Sequence, residues 1–152
     1  MRPLAGVLVA WLLSACATGP SDPSLDAEAK LFRALADKAC IYIVPSNSTD
    51  AVTITMDGRK IGTLRETNYL RLDVPPGRHV LSVTPFRLAP AILREAPESI
   101  SVEVEVAHCY FFRTLWTQDE RSWRSFRVDL RTVSEAEGQR EINIRTLMLP
   151  TK

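Results

Sequence analysis

Residues Ile54 to Val83 read ITMDGRKIGTLRETNYLRLDVPPGRHVLSV, and this stretch decides the fold. With Val52 before it, Val52, Ile54 and Met56 alternate with Thr53, Thr55 and Asp57. That period of two is the signature of a strand with one buried face. Asp57-Gly58 is a two-residue hairpin signal, because glycine accepts the positive φ the turn requires. Ile61 to Leu64 should return as the partner strand, with Gly62 marking a bulge or a close approach. Leu70, Leu72 and Val74 alternate with Arg71 and Asp73. Pro75-Pro76-Gly77 then ends that strand and turns the chain. His79 shares a face with Leu81 and Val83 and reads as a hydrogen-bonded strand histidine rather than a ligand.

Working outward, Val102, Val104 and Val106 alternate with Ser101, Glu103 and Glu105. Cys109 to Trp116 is apolar on both faces, as a central strand would be. Phe126, Val128 and Leu130 alternate with Arg127, Asp129 and Arg131. Upstream, Leu25 to Lys38 reads as a helix capped by Ser24, with Asp26 and Glu28 at its positive end. Leu25, Ala29, Phe32, Leu35 and Ala36 would lie on its buried face. The tail from Val133 to Leu149 carries Ile142, Ile144, Leu147 and Leu149, with a helix favoured over a last strand. Roughly seven or eight short strands, with a turn about every ten residues, predict a single antiparallel β-sandwich of immunoglobulin-like type. An N-terminal helix and a short C-terminal helical segment complete it.

The chain opens MRPLAGVLVAWLLSAC. Arg2 is a basic n-region, and Leu4 to Leu13 is an apolar run shorter than the ~20 residues of a membrane-spanning helix. The run ends in Leu13-Ser14-Ala15-Cys16, which resembles the lipobox of bacterial lipoproteins. That resemblance implies cleavage before Cys16 and acylation of its thiol. An ordinary secretory signal is the alternative, since Ala15-Cys16-Ala17 also fits a small-x-small cleavage site. Two or three acyl chains would hold the protein on a membrane where one holds only marginally. Under the enteric lipoprotein sorting rule, Ala17 after the cysteine implies the outer membrane of the bacterial cell envelope, facing the periplasm. The organisation expected is a signal peptide over residues 1–15, a lipidated tether over 16–24 (its Gly, Pro and Ser have little capacity to fold) and the sandwich over 25–152.

Without residues 1–15, 137 of the 152 residues remain, enough for one domain with a real core. Their 18 basic residues balance 18 acidic ones, so no charge surplus points to nucleic acid. Beyond Cys16 only Cys40 and Cys109 remain. An exported chain usually pairs its cysteines, so a disulfide joining the starts of two strands is expected. Two buried thiols, a metal site or a Cys-His nucleophile are the alternatives. A metal site lacks ligands at close spacing, and His108 and Cys109, being sequence neighbours in a strand, point to opposite faces. No metal and no cofactor is expected.

Ile41-Tyr42-Ile43, Asp57-Gly58 with Ile61-Gly62, Val74-Pro75-Pro76-Gly77 with His79, and Tyr110-Phe111-Phe112-Arg113 together resemble a family of bacterial lipoproteins that carries a PEGA-like β-sandwich. Val133 to Ile142 resembles that family's C-terminal segment. The resemblance spans roughly residues 30–148 and implies fold and anchoring. The family offers no activity to carry over. Val44-Pro45 stands where the family often has an arginine, and residues 85–99 are longer than its pattern.

Two regions are candidates for binding. Trp116, Arg121, Trp123 and Arg124, with Phe126, surround the polar loop 117–120, where an aromatic ring flanked by arginines could stack on a cell-wall sugar or peptidoglycan; the alternative is that Trp116 and Phe126 are core at strand ends and the arginines are solvated. Phe86, Leu88 and Ile92 lie in the proline-punctuated segment 85–99, which reads as a helical turn packed over the sandwich or, if exposed, as a patch for an envelope protein partner. Asp119 and Glu120 are adjacent but do not make a glycosidase pair, and no nucleophile-base-orienter set is visible. The expected function is a non-catalytic binding or scaffolding module for a protein partner, with sugar binding as the alternative.

Overall fold

The computed structural model describes residues 22–46, 50–86, 98–118 and 126–151. Residues 1–21, with the expected signal peptide, Cys16 and most of the expected tether, lie outside these residues. So do Leu88, Ile92, Arg121, Trp123 and Arg124.

The chain runs α1 (Pro23–Ala29), β1 (Ala39–Val44), β2 (Val52–Met56), β3 (Arg59–Leu64), β4 (Asn68–Val74), β5 (Gly77–Pro85), β6 (Glu98–Val104), β7 (Cys109–Gln118), β8 (Phe126–Thr132), α2 (Glu135–Asn143) and β9 (Thr146–Met148). Two sheets form, in the orders β8-β7-β1-β4-β9 and β3-β2-β5-β6. Alternating apolar residues of both sheets meet in one core. Ile41 and Ile43 of β1, Leu70, Leu72 and Val74 of β4, and Phe112 of β7 face Ile54 of β2 and Leu81 and Val83 of β5. The chain is thus mainly β and built as two facing sheets.

The Asp57-Gly58 turn joins β2 to β3 with φ of 51° and 78°, the positive pair a tight hairpin needs. Ile54 opposes Gly62 while Thr55 opposes Lys60, so the ladder slips by one residue beside Gly62, the bulge expected there. Pro75-Pro76 carries the chain from β4 in the first sheet to β5 in the second.

His79 meets Asp57 Oδ2 through Nδ1 at 2.8 Å and the Pro75 carbonyl through Nε2 at 2.9 Å. The Asp57 hydrogen bond, then the Pro75 carbonyl, favour the doubly protonated ring and raise its pKa. Asp57 is lowered, chiefly by His79 and then by the Val80 N–H. A raised histidine stabilises the fold fully below its unfolded pKa, about 6.5, and the effect fades as pH rises through the folded value. With Asp57 half-exposed, the pair contributes at most about 1 kcal/mol. The urea midpoint of wild type should therefore exceed that of His79→Gln by more at pH 5.5 than at pH 8.5. An unchanged gap would remove the charged pairing.

Several expectations are corrected. The sheets are not purely antiparallel: β1 pairs β7, and β4 pairs β9, in parallel. Helix α1 starts and stops earlier than the pattern suggested. Asp22, not Ser24, caps it by accepting from the Ser24 N–H, and Pro23 pre-sets the first turn. It ends at Ala29, and Phe32 takes φ 52°, so Leu35 and Ala36 continue no helix. Leu25 and Leu35 are 43% and 47% exposed instead of buried. Strand β7 is an interior strand as expected, flanked by β8 and β1, and β1 occupies the middle of the sheet. Val106 lies in the β6–β7 turn rather than in the strand, and is exposed. Asp129 is covered rather than open, held by Arg127 Nε at 2.7 Å and by the Thr117 hydroxyl at 3.2 Å. The tail forms both a helix, α2, and a strand, β9.

Helix α2 lies over the outer face of the first sheet, capped by Ser134, whose hydroxyl accepts from the Glu137 N–H. Arg113 of β7 pins it through Glu137 at 2.8 Å and Glu141 at 3.2 Å. Gly138 is where the helix touches the sheet: a Cβ there would come within 2.8 Å of Phe111 Cβ. Phe111 cannot yield at an atom fixed to its backbone. Gly138→Ala should therefore cost about 1–3 kcal/mol in urea unfolding, although alanine is the better helix former by about 1 kcal/mol. A stability equal to wild type would show that α2 is not seated on Phe111.

Candidate functional site

The outer face of the first sheet holds its own buried cluster. Cys40, Tyr42 and Val44 of β1, Tyr69 of β4, Phe111 of β7, Ile142 of α2, Leu147 of β9 and Ala29 of α1 pack there. Strand β1 is therefore buried on both faces along its whole length. Cys40 stands opposite Cys109 in the parallel β1–β7 pair, 4.5 Å apart at Cα, and the two form a disulfide. The pairing expected from the compartment is present, and it joins the starts of two strands. The bond lies beneath the 30–38 segment, with Cys109 Sγ 3.5 Å from the Phe32 carbonyl oxygen. Beside it the Tyr42 ring stacks on Phe111 at 5.2 Å, and Phe32 tilts against both. The Tyr42 hydroxyl donates to the Ala29 carbonyl, and burial pushes its pKa to about 12.

Asp26 ties α1 to this face. Its Oδ1 accepts from the Tyr69 hydroxyl at 2.9 Å and from the Leu147 N–H at 2.7 Å. Its Oδ2 meets Lys30 Nζ at 2.7 Å, and that ammonium also donates to the Arg145 carbonyl at 2.7 Å. Burial pushes the Asp26 pKa up. The hydrogen bonds from Lys30, Leu147 and Tyr69 outweigh it, so the carboxyl titrates below the ordinary range. The Tyr69 hydroxyl moves the other way, raised by burial and by the bond it donates to that carboxylate. Arg145, itself buried, donates to the Glu66 and Glu141 carbonyls and to the Glu141 carboxylate.

With α1 held so, a groove of about 510 Å³ opens between Leu25, Glu28 and Ala29 of the helix, Leu35, residues 71–74 of β4, Met56, and Leu147, Leu149 and Pro150. Leu72, Val74, Ala29 and Leu147 are buried, while Leu25, Leu35 and Leu149 are exposed. Of its polar lining, Arg71 pairs with Asp73 at 3.0 Å and donates to the Arg33 carbonyl at 2.8 Å, and Glu28 completes the polar wall. The buried floor of the groove is apolar, and its exposed rim carries Leu25, Leu35 and Leu149. No group of three or more His, Cys, Asp or Glu side chains is arranged for a metal ion among the described residues.

Of the residues singled out in the sequence, Trp116 is partly buried and packs against the core between the sheets. Phe126 pairs through its backbone with Gln118. Phe86 extends the β2–β5 ladder through its N–H to the Ala51 carbonyl, is 37% exposed, and has Lys60 Nζ 6.0 Å from its ring centroid. The groove itself is not evident from periodicity. Leu25 and Leu35, which line it, read equally well as a buried helix face. Among the described residues, no helix is long and apolar enough to cross a membrane. No family model matches the chain, and no curated protein does so either.

Proposed function

We propose that this chain is an envelope lipoprotein, acylated at Cys16 and held on the periplasmic side of the outer membrane. Its two-sheet body acts as a non-catalytic binding or scaffolding module for a protein partner. The observation that carries this reading is the lipobox Leu13-Ser14-Ala15-Cys16 behind a short apolar run, ending six residues before Asp22. The disulfide supports it, since such bonds persist in oxidising compartments. A PEGA-like or immunoglobulin-like form of the sandwich belongs to the same proposal, supported by the Asp57-Gly58 turn and the Pro75-Pro76-Gly77 corner.

The partner surface is the outer face of the second sheet, where Val80 and Phe86 are exposed and the chain leads into Leu88 and Ile92. Sugar binding at Trp116 has less support, because that ring packs against the core.

Two measurements test the proposal. In a Gram-negative host, Cys16→Ser should raise the soluble fraction about tenfold over wild type. Retention in the envelope would defeat the anchor. Crosslinking of the full chain in cells should recover a partner whose yield falls with Phe86→Glu. Equal recovery with that variant would move the partner elsewhere.

A further inference from the structure

Eight large hydrophobic residues are exposed among the described residues. Five of them, Leu25, Leu31, Leu35, Ile144 and Leu149, lie on or beside α1. Leu25, Leu35 and Leu149 line the same groove. Leu31 and Ile144 are the chain neighbours of Lys30 and Arg145, which are joined by the 2.7 Å hydrogen bond from Lys30 Nζ. Ile144 is 79% exposed and Leu31 57%, the two highest values of the eight. A monomeric soluble protein rarely gathers apolar side chains in this way without an occupant. The occupant must be one that keeps Leu31 and Ile144 out of water while the polar groups of the region stay satisfied within the protein. Asp26, Lys30, Arg71 and Arg145 already have such partners.

Chain length identifies the occupant. From Cys16 to Asp22 is six residue steps, which span at most about 21 Å when fully extended. An acylated Cys16 therefore keeps the start of α1 within that distance of the lipid headgroups. The apolar cluster sits on the element that the tether reaches first.

We infer that the α1 face, with Leu25, Leu31, Leu35, Ile144 and Leu149, rests on the bilayer surface and orients the body with the second sheet's outer face turned away from the lipid. The inference rests on the acyl anchor at Cys16. The anchor fixes distance, and the leucines fix orientation. Each apolar side chain seated at the interface adds to the hold of the acyl chains, and a held orientation keeps Val80 and Phe86 presented to the periplasm.

The test uses the processed full chain reconstituted in phosphatidylethanolamine–phosphatidylglycerol vesicles whose acyl chains carry bromine, a contact quencher of indole. Leu31→Trp and, separately, Ile144→Trp report from the proposed face. Val80→Trp reports from the opposite sheet, and the native tryptophans form a constant background. The introduced indole at position 31 or 144 should be quenched at least about twofold more than the one at position 80. The mass of the N-terminal peptide is measured on the same samples. Acylated protein with equal quenching at all three positions would overturn the orientation and leave the anchor intact. An unacylated N-terminus would remove the anchor and, with it, the inference. Unquenched indoles at 31 and 144, with a dimer mass in sedimentation, would assign the face to a second copy and overturn it as well.

Discussion

Replacing Cys40 and Cys109 together by alanine should lower the unfolding free energy by about 2–4 kcal/mol. The pair closes a loop of 69 residues in sequence separation, so the oxidised unfolded chain is much restricted. The bond also joins two parallel neighbours at the centre of the first sheet, whose pairing no short turn enforces. Parallel strands need a long connection, and here that connection passes through five intervening strands. The melting midpoint should fall by about 10 °C, and reductant should lower the wild type similarly while leaving the double variant unmoved. A double variant as stable as wild type would mean that the strand pairing, and not the covalent link, restrains the chain.

Asp26→Ala should cost about 3 kcal/mol, because one carboxylate serves three donors. Without it, the Leu147 N–H and the Tyr69 hydroxyl lose their acceptor, and Lys30 loses its counter-charge. Leu147 belongs to the short edge strand β9, so the loss reaches the sheet as well as the helix. Amide exchange should quicken first in α1 and β9, with β2 and β5 unchanged. The pH dependence has a definite sign. Since the folded pKa of Asp26 is lowered, its contribution is present above the unfolded value, about 3.9, and is lost as pH falls through the folded one. Wild type and Asp26→Ala should thus converge in stability at strongly acid pH. A constant difference would show that the carboxylate's charge is not what matters. By freeing α1, the substitution should also weaken the bilayer orientation inferred for that face, and the brominated-lipid contrast between positions 31 and 80 should shrink.

Local rules made much of the sandwich legible. Ile54, Leu70, Leu72, Leu81 and Val83 are buried where a period of two places them, because a strand sends successive side chains to opposite faces. Asp57-Gly58 turns as its residue types require. The end of α1 was not legible. Phe32 leaves helical geometry to bring its ring onto Tyr42 and Phe111, and these lie far along the chain. Leu25 and Leu35 match a buried helix face equally well, so periodicity hid the groove. Trp116 illustrates the same ambiguity: at a strand end beside a polar loop it reads either as core or as a stacking platform, and its packing against the core decides for the first.

By itself, the sequence determined the strands, their inward faces, the hairpin at Asp57-Gly58 and the expectation that Cys40 meets Cys109. These depend on residue type, near neighbours and compartment. Only the tertiary structure decided that β1 lies between β7 and β4, that β9 joins in parallel, and that both helices cover one sheet. Alternation says which face of a strand is buried but not which strand lies beside it. Partner choice is settled by the packing of distant side chains, such as Tyr42 on Phe111 and Asp26 on Leu147.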